Sequence, residues 1–86
     1  MSSPEYLAAF KGIHATLAAE EKLKALGARP ALVPSPRAIS AECGFSVLLN
    51  GPEEDAVRSL WTALGMPGTL YRVTSAGGES RYEEIR

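Results

Sequence analysis

Cys43 is the residue of this 86-residue sequence best suited to carry chemistry. It lies near the end of the run Pro34-Ser35-Pro36-Arg37-Ala38-Ile39-Ser40-Ala41-Glu42-Cys43-Gly44. Two prolines stiffen such a segment, and Gly44 is expected to let the backbone beside the cysteine take angles other residues avoid. A thiol with a pKa of about 8.5 is only a few per cent thiolate at neutral pH, and thiolate is the nucleophile. Bringing that pKa to about 7 requires roughly 2 kcal/mol of preferential stabilisation of the charged form. Arg37 is the nearest cationic source, helped by backbone N–H groups of the loop, while the Glu42 carboxylate opposes it. The competing reading makes Cys43 an inert buried residue, a common fate of unpaired cysteine. His14, where a first strand gives way to a first helix, has two readings as well. It is either a partial helix cap at the positive end of the helix dipole or a base or proton donor for Cys43.

The remaining residues exclude more than they suggest. One cysteine and one histidine make neither an internal disulfide nor a metal site. Glu53-Glu54-Asp55 point in successive helical directions and read as a helix start. Trp61 falls on an apolar stripe and reads as core. Gly77-Gly78 lacks the strand-to-helix context of a phosphate loop, so no cofactor is expected. Nine basic against ten acidic residues leave no basic excess for nucleic acid. No apolar run approaches the roughly 18 residues of a membrane span. Met1-Ser2-Ser3-Pro4-Glu5 has no cationic start leading into an apolar stretch, so a cytoplasmic protein without a signal peptide is expected.

The elements that must position Cys43 follow from periodicity. Glu5 to Ile13 alternates as a strand, with Tyr6, Ala8 and Phe10 on one face and Leu7 and Ala9 on the other. From His14 the period becomes helical: Ala15, Ala18, Ala19, Leu23 and Leu26 form an apolar stripe and Thr16, Glu20 and Lys24 a polar one. Gly27 should end that helix. A second strand is expected near Ala31–Val33. Arg37 to Cys43 is expected to form a helical turn, with Ser35 as a candidate cap. Phe45–Leu49 is a strand with Phe45, Val47 and Leu49 on one side and Ser46 and Leu48 on the other. Gly51 as cap, Pro52 in the first turn and the three acids open a second helix, whose buried face is Val57, Leu60, Trp61 and Leu64. Gly65 and Pro67 end it. A fourth strand is expected over Thr69–Thr74, and residues 75–86 form an extra hairpin strand or a frayed tail.

This β-α-β-β-α-β order predicts one α+β domain over residues 1–86, of ferredoxin-like type. Both helices then lie on one face of an antiparallel sheet of strand order 4-1-3-2. The opposite face is expected to carry Leu7, Ala9, Leu32, Leu48 and Leu70. That is too much apolar surface to leave wet, so a homodimer packed sheet to sheet through this open face is expected.

The run Pro36-Arg37-x-Ile39-Ser40-x-x-Cys43-Gly44 resembles the selenium/sulfur carrier protein-like family of small bacterial proteins. Val33-Pro34 before it, an apolar strand after it, and His14 leading into an Ala/Leu-rich helix with Glu21-Lys22-Leu23 add to the likeness, which covers roughly Tyr6 to Val73. The resemblance implies that Cys43 carries sulfur or selenium as a persulfide or its selenium analogue, with Arg37 as electrostatic partner. It further implies a non-enzymatic carrier loaded by a donor protein such as a cysteine desulfurase. Glu42 stands where the family pattern has a small residue, which moderates the expected acidity of the thiol. The alternative is a regulatory or assembly module of the same fold with a structural or redox-sensitive cysteine. A small thiol enzyme is the weakest reading, since no second cysteine or acid/base pair completes one.

Overall fold

The computed structural model describes residues 5–39, 44–50 and 53–85. The chain runs β1 (Glu5–Ala9), α1 (Ile13–Ala25), β2 (Pro30–Pro34), β3 (Phe45–Asn50), α2 (Glu54–Leu64), β4 (Thr69–Ala76) and β5 (Glu79–Glu84). It is an α+β protein with one five-stranded sheet, order β2-β3-β1-β4-β5, and every adjacent pair is antiparallel. Where a four-stranded sheet of order 4-1-3-2 is expected, the sheet has five strands, with β5 at the edge beyond β4. The tail is therefore a strand: Gly77 and Gly78, with φ of 61° and 83°, form the two-residue turn that returns β5 along β4. Positive φ at both central residues is what a type I′ hairpin turn requires, and glycine adopts it without a steric penalty.

Several local expectations shift. β1 stops at Ala9 rather than Ile13, because α1 starts at Ile13 with Gly12 as its cap residue. The Gly12 carbonyl accepts bonds from the Thr16 backbone N–H at 3.2 Å and from Thr16 Oγ1 at 2.9 Å. Thr16, expected on the polar stripe, is fully buried, while Ala18 and Leu26 of the expected apolar stripe are exposed. The face α1 presents to the sheet is Thr16, Ala19 and Leu23, at the 3- and 4-residue spacing of one helical side. The hydroxyl enters the core because its own preceding turn satisfies it. α2 starts at Glu54 with Glu53 at the cap, later than expected; Gly51 and Pro52 lie outside the described residues. Gly65 ends it as anticipated, and Lys22 Nζ donates to the Leu64 carbonyl at 3.1 Å, placing a cation at the negative end of α2.

Two apolar clusters sandwich the sheet. On the helix side Tyr6, Ala8, Phe10, Val47, Leu49 and Leu70 meet Ala19 and Leu23 of α1 and Val57 and Leu64 of α2. Trp61 packs here too, stacked on Phe10 with ring centroids 5.7 Å apart, which makes it core as expected. On the other side Leu7, Ala9 and Ile39 are buried among partly covered Val33, Leu48, Tyr71, Val73 and Tyr82. Two residues assigned to this open face belong to the other. Leu32 is opposite Val47 and Leu70 opposite Ala8, and directly opposed residues share a face. Leu7 and Ala9 are already 2% and 8% exposed within one chain. On this face Leu7 and Ala9 are therefore covered within one chain, while Val33, Leu48, Tyr71, Val73 and Tyr82 stay partly exposed.

A charged network ties α2 to the added hairpin. Arg72 Nε donates to Glu54 Oε1 at 2.8 Å, Arg58 Nε donates to Glu54 Oε2 at 3.1 Å, and Arg72 also pairs with Glu83. The Arg72 guanidinium holds the Glu54 carboxyl below its ordinary range against partial desolvation, and Arg58 adds to the effect. A carboxyl acidified by folding contributes stability above its unfolded pKa and loses it as the pH falls through the folded value. Glu54→Gln should therefore be less stable than the parent at neutral pH, and the gap should narrow as the solution is acidified. Chemical denaturation at a series of pH values measures this. A gap independent of pH would show that the charge of Glu54 is not what matters.

Candidate functional site

The β2–β3 connection is held at its base, at its turn and against the sheet. Its base extends the ladder one pair beyond Pro34 and Phe45: the Ser35 N–H donates to the Gly44 carbonyl at 2.9 Å. Beside that bond Ser35 Oγ and Ser46 Oγ lie 2.7 Å apart, and Ser46 is fully buried. A buried hydroxyl without a partner would be destabilising, so this bond fixes Ser35 over Ser46. Next comes a turn in which the Ile39 N–H donates to the Pro36 carbonyl at 3.3 Å; the rest of the helical turn expected over Arg37–Cys43, from Ser40 on, lies outside the described residues. Ile39, 8% exposed, then inserts against Leu7 and Ala9 on the open sheet face.

Arg37 is exposed on this turn. Cys43, with Ser40, Ala41 and Glu42, lies outside the described residues, so its expected pairing with Arg37 has no described geometry. Its neighbour Gly44 is exposed and stands in open space: a methyl group built there would meet nothing within 4 Å. Gly44 does not adopt positive φ, contrary to the expected conformational role. What it contributes beside Cys43 is the absence of a side chain.

His14 is exposed in the first turn of α1 and is not the cap, a place taken by Gly12. The register Ala8↔Val47 sets the end of β1 beside the start of β3. The N-terminus of α1 and the β2–β3 loop therefore open at the same end of the sheet, so the fold brings His14 and the loop to one end without a described contact. Sequence reasoning passed over Ile39 as an anchor and the Ser35–Ser46 pair. One signal for the pair existed: period-two alternation puts Ser46 on the face of Leu48, a polar residue at an apolar position. Among the described residues no cluster of His, Cys, Asp and Glu could hold a metal ion, and no helix is long and apolar enough to cross a membrane.

These features define a small α+β protein with a helix-backed antiparallel sheet, whose one cysteine adjoins the closed base of a hairpin loop. Its family is established by sequence. The model described as "Putative Se/S carrier protein-like" matches residues 5–67, most of the chain, and the chain belongs to that family. The matched span takes in Arg37, Cys43 and Gly44 and ends before β4 and β5. Among curated proteins and solved structures, none matches the chain.

Proposed function

We propose that the protein is a sulfur or selenium carrier that holds the transferred atom on Cys43. The observation that carries this reading is that the family match spans the whole Cys43 loop, whose flanks are pinned by Ser35–Gly44, Ser35–Ser46 and Ile39. A carrier needs its thiol at a reproducible place that partner proteins can reach. In loading, the Cys43 thiolate attacks the terminal sulfur of a donor's persulfide. The donor S–S bond breaks, the donor leaves as a thiolate, and a new S–S bond forms on Cys43. One sulfane sulfur moves with no net oxidation or reduction, so no further oxidant is needed. A cysteine desulfurase is the kind of donor this chemistry fits, and unloading repeats the step with an acceptor thiol as nucleophile. The proposed role of Arg37 is to favour the thiolate; His14 is the proposed proton donor or base at the same end of the sheet. In the ferredoxin-like reading of the fold, β5 is an edge addition to a βαββαβ unit.

The reading is tested by following alkylation of Cys43 by iodoacetamide in the folded protein across a pH series. Labelling should be fast without denaturant, with half-maximal rate at a pH modestly below that of a free thiol. Arg37→Ala should move that midpoint upward while changing stability little, because an exposed guanidinium contributes little to it. Labelling only after unfolding would instead favour the module with a structural cysteine.

A further inference from the structure

The two edges of the sheet differ in what their backbones offer, and the difference points to a second copy of this chain at one of them. In an antiparallel pair, residues alternate between bonding inward to the neighbour and pointing outward. On β2 the bond from Ser35 N–H to the Gly44 carbonyl sets the phase, so Pro30, Leu32 and Pro34 point outward. Two of these lack an N–H, which leaves Leu32 as the one outward donor of β2 and makes this a blocked edge. On β5 the phase is set by the Ile85 N–H, which donates to the Leu70 carbonyl at 2.8 Å. Ser80, Tyr82 and Glu84 then point outward, and each carries an N–H.

We propose that β5 pairs antiparallel with β5 of a second copy about a two-fold axis at Tyr82, continuing the sheet across both molecules. Charge selects this register. With Tyr82 opposite the partner's Tyr82, Ser80 faces the partner's Glu84 as a hydrogen-bonded pair, and Arg81 faces the partner's Glu83, twice by symmetry. Opposite charges at facing positions attract across antiparallel strands. Sliding by two residues one way puts Arg81 opposite the partner's Arg81, and the other way Glu83 opposite the partner's Glu83. Each is a like-charge clash, and the next register, about Ser80, pairs Arg81 with the partner's Glu79 only by setting Tyr82 against the Gly77–Gly78 turn, so charge and strand length together favour the register at Tyr82. Glu83 has a 67% exposed side chain already paired with Arg72 on its own chain, and the partner's Arg81 would add a second cation to it. β5 lies beyond residues 5–67, so this interface belongs to the part of the chain outside the family match, and its formation is independent of what Cys43 does.

The test is analytical ultracentrifugation of the full chain over a range of concentrations up to the high micromolar. The parent should associate to a dimer, and Arg81→Glu, which sets like charges opposite each other twice, should weaken it by about tenfold or more. Glu83→Arg should do the same alone, whereas mixing the two variants restores complementary pairs and should give a heterodimer. Ser80→Pro, which removes an outward N–H and no ladder bond to β4, should also weaken the dimer and guards against misfolding of the charge variants. A parent that stays monomeric throughout, or a dimer indifferent to Arg81→Glu and Ser80→Pro, would overturn the proposal.

Discussion

Leu7→Ala is expected to lower the unfolding free energy by about 2–5 kcal/mol, the range for removing a buried leucine side chain without full collapse of the cavity. Leu7 is 2% exposed at the centre of the central strand, on the face away from both helices. It is buried against Ile39 of the β2–β3 loop and flanked by Leu48 and Tyr71. The loss therefore reports on a second core that no helix covers. Leu32→Ala, at a site 36% exposed on the edge strand, is the control and should cost much less. Urea unfolding of both decides the matter: equal small losses would mean that the open face is not packed as described.

Gly68→Ala should cost about 1–3 kcal/mol through overpacking. An added Cβ would stand 2.7 Å from the Ala9 carbonyl oxygen and 2.8 Å from Phe10 Cδ1. The first is backbone held in the β1–β4 ladder, where Ala9 faces Thr69, so it cannot swing aside. The second belongs to the ring stacked on Trp61, so displacement should also change the tryptophan fluorescence of the folded protein. Gly44→Ala, with open space around it, is the contrast and should fall within about 1 kcal/mol of the parent, stabilising if anything by restricting the unfolded chain. If the two alanines behaved alike, close approach of the β4 start to β1 would not be the reason for the glycine.

Much of the fold was legible because it is locally encoded. The alternation in Tyr6–Ala9 and Phe45–Leu49 placed strands and faces correctly, and Gly65 marked the end of α2. What was misread depends on partners distant in sequence. Alternation says that Leu32 and Leu70 have a face, but only register against Val47 and Ala8 says which. Thr16 looks polar in isolation; its burial follows from a hydroxyl satisfied by its own preceding turn. The open face looked wet because no helix covers it, and a residue of the cysteine loop, Ile39, supplies cover instead. At the site, residue types and spacing singled out Cys43, Arg37 and His14, and the fold adds how the loop's flanks are held. Arg37 lies exposed on a turn whose next anchored side chain is Ile39, two residues on, so the structural weight of this segment rests on a residue that the motif alone did not distinguish.

In the proposed function Cys43 accepts a sulfur atom from a donor's persulfide. The most direct measurement is the intact mass of the full chain after incubation with a cysteine desulfurase and free cysteine, with and without subsequent reduction. A species heavier by one sulfur atom is expected, returned to the parent mass by a thiol reductant and absent from Cys43→Ser. No added mass while the desulfurase is turning over, or the same added mass on Cys43→Ser, would contradict it.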